Sequence, residues 1–220
     1  MVTALQLINP DLPVLNTQDD PANGLNLMDQ FRVGHLAVTE NGKFMGVISE
    51  TELLSVEHIA GSKDTPFALA NLSVDPDEHV LEVLRLVSEH QLTIIPVVDK
   101  DRNYIGSITL EDLVGSLSRY QGVNEPGAIL VLSMDEKDYS LQQIARIVEE
   151  NDSKILSLNV ISGAEPGELE VNIKINKEDV NAIMQSFNRF NINIKASYQE
   201  PEYTEDLKKR YEELMRYLNI

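Results

Sequence analysis

The sequence contains no cysteine. That excludes a disulfide scaffold and any cysteine-based zinc site. Basic residues are scarce: 18 Lys plus Arg stand against 36 Asp plus Glu, for a net charge of −18. Nucleic acids and anionic membrane surfaces both call for cationic patches, so neither is expected as a partner. Long apolar runs are missing as well. The longest, Ala128-Ile129-Leu130-Val131-Leu132, falls far short of the ~20 residues that span a bilayer. The N-terminus, MVTALQLINP, lacks the positive stretch that opens a secretory signal, and a cytoplasmic location is the expectation. Signatures of catalysis are absent too. There is no HExxH, GxSxG, Walker loop or GxGxxG, and His35, His58, His79 and His90 form no ligand array.

What is present is a chain of 220 residues, 42% apolar, enough for one large domain or two small ones with a real core. It contains a repeat. LNTQDDPANGLNLMDQFRVGHLAVTENGKFMGVISETELL, residues 15–54, recurs about 60 residues later as VDPDEHVLEVLRLVSEHQLTIIPVVDKDRNYIGSITLEDLV, residues 74–114, with one extra residue in the second turn. Each copy reads as helix, strand, turn, strand, helix. In the second copy Val80, Val83, Leu84 and Val87 recur at helical spacing. Ile94-Ile95-Pro96-Val97-Val98 is a short buried strand, with Pro96 expected at an edge or bulge because it cannot donate to a ladder. Asp101-Arg102-Asn103 is a turn, and Tyr104 to Ile108 is the return strand. In the first copy Asn41-Gly42 between two apolar runs is a hairpin signal.

After Gly122, Pro126 and Gly127 the pattern changes. Ala128–Met134 is a strand and Ser140–Asn151 an amphipathic helix bearing Leu141, Ile144, Ile147 and Val148 on one face. Ile155–Ile161 and the alternating Leu169–Ile175 are strands, Asp179–Phe190 a helix and Ile192–Tyr198 a last strand. The order β-α-β-β-α-β is ferredoxin-like. Residues 202–219 read as a further helix, with Leu207, Tyr211, Leu214 and Leu218 as an apolar stripe that needs a partner surface.

The repeat resembles tandem cystathionine-β-synthase (CBS) domains, a Bateman module. The motif Gly-apolar-x-Thr/Ser-x-x-Asp stands complete as GSITLED at 106–112 and as GVISETE at 46–52, where Glu replaces Asp. The second copy keeps the family's Pro-Val-Val, where the first has Ala37-Val38-Thr39. By element order the remainder resembles an ACT domain, and the whole arrangement resembles the acetoin-utilisation B type. The fold class implied is α+β: two CBS repeats of β-α-β-β-α type, a ferredoxin-like (ACT-like) domain and a C-terminal helix. The expected boundaries are 1–58 and 59–120 for the repeats, 121–125 for a linker, 126–199 for the ACT-like domain and 200–220 for the last helix.

Two readings attach to the Thr109–Asp112 corner. In one, Thr109 and Asp112 only cap a helix. In the other, which the resemblance implies, Asp112 accepts the hydroxyls of a ribose and Thr109 binds phosphate. Family geometry then places the base against the other repeat, at Val33, Gly34 and His35, with Asn9 and Leu12 nearby. A second, weaker cleft pairs Ser49 and Glu52 with Leu92, Thr93 and Ile94; the longer Glu crowds a ribose, and PFALANL lacks the Met-Thr usual before a second repeat. Phosphates need cations or helix N-termini. His35 is the nearby candidate in a sequence with few, so an AMP-like or S-adenosylmethionine-like ligand is favoured over ATP. Asp99-Lys100-Asp101-Arg102-Asn103 begins like a calcium loop, but Tyr104 and Leu110 stand where Gly and Glu are required, so it is read as a turn. Asp75, Asp77, Glu78 and His79 cluster ahead of a helix, where the acidic residues are read as partners of the helix dipole. In the ACT-like part the loop Asp135–Tyr139 has no Gly, and no small-molecule site is assigned there. The implied function is a non-catalytic sensor with no required cofactor, binding an adenosyl ligand and signalling through a homodimer to a protein target. The alternative is a ligand-free dimeric interaction scaffold.

Overall fold

The computed structural model describes residues 2–58 and 68–199, with Glu213, Met215 and Tyr217. The chain divides into two compact units, Met1–Leu117 and Ser118–Ile220. The helix expected over 202–219 lies outside the described residues, those three positions aside.

In the first unit, β1 (Val14–Asn16), α1 (Pro21–Phe31), β2 (His35–Glu40), β3 (Lys43–Ser49) and α2 (Glu50–His58) make the first repeat. The second consists of α3 (Val80–Glu89), β4 (Ile94–Val98), β5 (Tyr104–Thr109) and α4 (Leu110–Tyr120). Its first strand is reduced to one parallel bridge, Val74 to Val97, matching the Leu15–Val38 pair of the first repeat. Both hairpins carry a register shift at the same place, between Val38 and Thr39 and between Val97 and Val98. Asn41 and Gly42 both take positive φ, as a tight primed turn demands. Pro96 sits beside the second bulge. Its carbonyl accepts from Val74 N–H and Val98 N–H donates to Val74. The Pro96 nitrogen therefore faces away from β5, and no bond of that ladder is lost.

The boundary of each repeat in sequence is not its boundary in packing. Residues 2–9 bond to the second repeat: Ala4 N–H donates to the Glu78 carbonyl (2.9 Å), Leu5 N–H to Pro76 (3.0 Å) and Asn9 N–H to Ser107 (2.9 Å). Ala4 and Leu7 are buried among Val80, Val83, Val87, Ile95, Val97 and Ile108. The segment entering the second repeat packs on the first in return, with Ala70 and Val47 exchanging backbone bonds and Leu69 against the first core. The glycine that opens each motif makes this crossing possible. A Cβ at Gly106 would lie 2.4 Å from Ile8, and one at Gly46 2.7 Å from Leu69.

In the second unit, β6 (Ala128–Asp135), α5 (Leu141–Glu149), β7 (Ile155–Ser162), β8 (Glu168–Ile175), α6 (Asn181–Arg189) and β9 (Asn193–Tyr198) follow the expected βαββαβ order. The sheet order is β7-β8-β6-β9, antiparallel throughout, which is a ferredoxin-like arrangement. Alternation in β6 and β8 turns Leu130, Leu132, Val171, Ile173 and Ile175 onto Ile144, Ile147, Val148, Ile183 and Phe187 of the two helices. Ser140 starts α5 by accepting from Gln143 N–H (3.3 Å). The segment read as a loop after β6 holds one tight helical turn, Glu136–Asp138.

Candidate functional site

The corner between β5 and α4 is built as a reciprocal cap. Thr109 N–H and Oγ1–H donate to Asp112 Oδ2 at 3.2 and 2.5 Å, and Asp112 N–H donates to Thr109 Oγ1 at 3.0 Å. Asn9, carried here by its bridge to Ser107, donates from Nδ2 to the same Oδ2 at the outer limit of 3.5 Å. Every hydrogen bond given to this carboxylate by a described residue falls on Oδ2. Thr109 and Asp112 are half-buried.

The corner between β3 and α2 repeats the design. Ser49 N–H (2.8 Å) and Oγ–H (2.9 Å) donate to Glu52 Oε2, and Glu52 N–H donates to Ser49 Oγ at 3.3 Å. Ala70 occupies the place that Asn9 has in the other corner, and it has no amide to offer.

The two strand entries meet each other. Gly34 N–H donates to Thr93 Oγ1 at 2.9 Å, and His35 Nδ1 lies 3.1 Å from that oxygen. Thr93 N–H also points to His35 Nδ1, at 3.3 Å. The carbonyls of Gly34 and Thr93 each accept from the first residue of a helix, Glu50 N–H (2.9 Å) and Leu110 N–H (3.0 Å). Val33-Gly34-His35 and Leu92-Thr93-Ile94 thus form one junction wedged between the starts of α2 and α4. Val33, Leu92 and Ile94 are buried there. Both polar backbone groups of Gly34 are engaged inside the protein, so a ligand's base edge would have to be read by its neighbours.

His35 fits packing better than phosphate binding. Thr93 N–H donates to Nδ1, so Nδ1 is an acceptor, the Thr93 hydroxyl donates to it as well, and the ring proton sits on Nε2. Burial holds the His35 pKa below its usual 6.5, and the nearby Glu52 charge only partly opposes that. The ring is neutral at pH 7 and gives a phosphate no positive charge.

Arg32 is a residue that sequence reasoning missed. It takes a left-handed conformation (φ 55°) as the C-cap of α1 and is exposed next to Val33. A cation directly before the His-containing strand was the available signal. The corresponding position in the second repeat is Gln91, also left-handed at φ 52°. Lys43 and Arg102 are committed elsewhere. They tie the two hairpin tips together, Lys43 Nζ donating to Asn103 Oδ1 (2.8 Å) and Arg102 donating to the Phe44 carbonyl (3.0 Å). Arg85 is paired with Glu82 and Glu89 on α3.

Other candidates resolve plainly. Asp99 Oδ1 accepts from Asp101 and Asn103 N–H groups, so the calcium-like segment is a turn held by its own side chain. At the start of α3 the cap is His79, whose Nδ1 accepts from Leu81 N–H at 3.3 Å. Among the described residues no group of three or more His, Asp or Glu is arranged to hold a metal ion. No helix among them is long and apolar enough to cross a membrane.

The sequence pattern that defines the CBS domain matches residues 4–58 and again 68–119. Among solved structures, the chain is similar to a CBS domain pair/ACT domain protein from Thermotoga maritima, with 23% identity and a TM-score of 0.47 over 54% of this chain and 98% of that one. It is also similar to an Arabidopsis thaliana CBS-pair protein in complex with AMP, with 22% identity and a TM-score of 0.46 over 53% of this chain and 96% of that one. A third is a CBS domain pair in complex with 5′-methylthioadenosine and S-adenosyl-L-methionine, with 17% identity and a TM-score of 0.45 over 54% and 97%.

Proposed function

We propose, for a chain that belongs to the CBS-domain proteins and carries the domain as a tandem pair, that it is a non-catalytic cytoplasmic sensor of an adenosyl ligand. The single observation that carries this reading is the Asp112 carboxylate. Its capping bonds fall on Oδ2, so Oδ1 is left to accept a ribose hydroxyl without opening the helix cap. Asn9 adds a second polar group beside it, and the partly buried Leu12 would offer apolar surface for a base. Arg32 is the cation next to this strand entry and would receive a single phosphate. With His35 neutral, a ligand bearing three phosphates finds too little charge. The Ser49–Glu52 corner has no counterpart of Asn9, and is assigned no ligand.

Occupancy matters only if the ligand prefers one packing of the repeats over another. Thr93, Gly34 and His35 link the repeats beside the site, so a shift at Thr109 reaches the first repeat through Leu110 and Thr93. The ferredoxin-like unit, ACT-like in this reading, passes the change to a homodimer partner or protein target. A second reading, a ligand-free dimeric scaffold, draws on the engagement of both Gly34 backbone groups and on the complete caps at both corners.

Isothermal titration of the full chain with AMP, ATP, S-adenosylmethionine and NAD tests the proposal. AMP or S-adenosylmethionine binds below millimolar, and Asp112→Asn, which keeps an oxygen for the cap, weakens binding at least tenfold. Arg32→Ala weakens AMP more than S-adenosylmethionine. If no adenosyl compound binds below millimolar, the sensor reading falls and the scaffold stands; if one binds and Asp112→Asn leaves its affinity unchanged, the assignment of the site to Asp112 falls.

A further inference from the structure

The Ser49–Glu52 corner takes no ligand, yet it differs from its counterpart in a way that helix capping does not explain. Across the β2–β3 pair His35 stands opposite Ser49; across β4–β5 Ile94 stands opposite Thr109. The corner with the longer carboxylate therefore has a titratable ring beside it, and the Asp112 corner has a buried isoleucine in the same place. A cap needs neither the extra methylene nor the ring.

His35 is also a polar fastening between the repeats. Its Nδ1 accepts from both donors of Thr93, the N–H at 3.3 Å and the hydroxyl at 3.1 Å. Both bonds require an Nδ1 without a proton. A proton there makes the ring a donor at both nitrogens, so Thr93 N–H faces another donor and loses its partner, at the cost of an unpaired amide. The Thr93 carbonyl accepts from Leu110 N–H at 3.0 Å, so a displaced Thr93 moves the first turn of α4, where Asp112 sits. One neighbouring charge favours the protonated ring: Glu52 on α2, half-buried, acts against the burial that keeps His35 neutral. Arg32 at the end of α1, Glu50 at the start of α2 and Glu111 at the start of α4 are exposed, and Asp112 is held in its own cap. Ser49 of β3 and Thr93 before β4 carry no charge.

We propose that His35 and Glu52 form a proton-operated latch between the repeats: the neutral ring holds Thr93, and the protonated ring turns to Glu52 and releases Thr93. The switch lies below pH 6.5, because burial lowers the proton affinity of the ring. Through Leu110 the latch reaches the Asp112 corner. Protonation therefore weakens adenosyl binding, and a bound adenosyl ligand makes His35 harder to protonate by the same factor. This coupling rests on the ligand reading; the latch itself does not.

Nuclear magnetic resonance of the full chain, with its 4 histidines labelled, tests the latch without any ligand. At about pH 7.5 His35 Nδ1 shows the nitrogen shift of an unprotonated atom, and on acidification the amide signals of Thr93 and Gly34 move with the midpoint of the ring. Glu52→Gln keeps an oxygen for the α2 cap and lowers that midpoint for all three signals. Amides that stay fixed while the ring titrates overturn the latch, as does a midpoint indifferent to Glu52→Gln or a proton on Nδ1 at neutral pH. The coupling is read by isothermal titration with 5′-methylthioadenosine, whose charge is constant over this range. Its affinity falls about fivefold or more from about pH 7.5 to about pH 5.5, and the fall disappears in His35→Gln. Affinity that ignores pH in the parent chain refutes the coupling. If nothing binds at either pH, the adenosyl reading falls, and the amide titration decides the latch on its own.

Discussion

Replacing Gly106 by alanine tests whether the entry segment really crosses the second hairpin as described. A Cβ at this position would stand 2.4 Å from Ile8 Cγ2, 3.4 Å from Cδ1 and 3.5 Å from Cβ. The first distance is about 1 Å inside ordinary carbon contact. Ile8 is β-branched, so Cγ2 cannot swing away as the end of a longer chain could. The segment is also pinned on both sides, by Ala4 and Leu7 in the core and by Asn9 on Ser107. Relief must come from a backbone shift, and overpacking of this kind costs about 1–3 kcal/mol. At ~2–4 °C per kcal/mol for a chain this long, the melting transition of the N-terminal unit falls by about 2–12 °C. Calorimetry of the full chain reads that shift. Ile8→Ala removes the obstacle, so Gly106→Ala made in that background costs little, and the two changes couple by roughly 1 kcal/mol or more. A Gly106→Ala chain that melts within about 1 °C of the parent refutes the crossing. An equal loss in both backgrounds refutes the role of Ile8.

Gly115 predicts the opposite sign. It lies inside α4, and a Cβ there meets nothing within 4 Å, so Gly115→Ala stabilises by about 0.5–1 kcal/mol, measured by chemical denaturation. Thr109→Ala removes the donor and acceptor of the α4 cap and costs about 0.5–2 kcal/mol, with Ser49→Ala similar at α2; a neutral result at both sites contradicts the caps. His35 gives a pH signature. Its folded pKa lies below the unfolded 6.5, so between those values the unfolded chain binds more protons. Its contribution is complete above about pH 6.5 and is lost as pH falls through the folded value. His35→Gln flattens the stability slope just below pH 6.5, and an unchanged slope denies the burial of a neutral ring.

Much of this was written locally. Period and turn chemistry placed the strands of the second hairpin and the turn of the first, because Asn41-Gly42 and the apolar runs act within a few residues of themselves. The cap at Thr109 was legible for the same reason, since a Thr or Ser three residues before a carboxylate carries its own partner; Ser49 carries the same signal and was read only as part of a cleft. The contacts that left no local mark join distant residues. Nothing in VTALQLIN announces that it binds residues 76–80, and Thr93 gives no hint alone that it will accept from Gly34. One clue was available. A glycine inside a strand, as in GSIT and GVIS, asks what comes close enough to forbid a side chain. The answer at Gly106 is Ile8, and the residue after Ile8 is the one that touches Asp112.

The repeat is nearly symmetric in backbone, so its differences in side chain separate the two corners. Gly46 and Gly106 admit equivalent crossings, and both following caps are complete. Evolution of a fold alone would stop there, because each helix start is satisfied. Three differences go further, and two of them meet at the Asp112 corner. Asp112 stands where Glu52 does, with a side chain one methylene shorter. Asn9 stands where Ala70 does and supplies an amide within 3.5 Å of that carboxylate. Arg32 stands where Gln91 does, in the same left-handed cap, and adds a positive charge to a chain with few. A module kept only as a dimerisation scaffold has no reason to set an acceptor and a donor side by side at one corner and not at the other. Exchanging the set tests that argument as a unit. A chain with Asn9→Ala, Arg32→Gln and Asp112→Glu should keep its fold, since each new residue already serves the equivalent place in the other repeat. It should lose adenosyl binding entirely, and retained binding would show that the asymmetry has no bearing on the ligand.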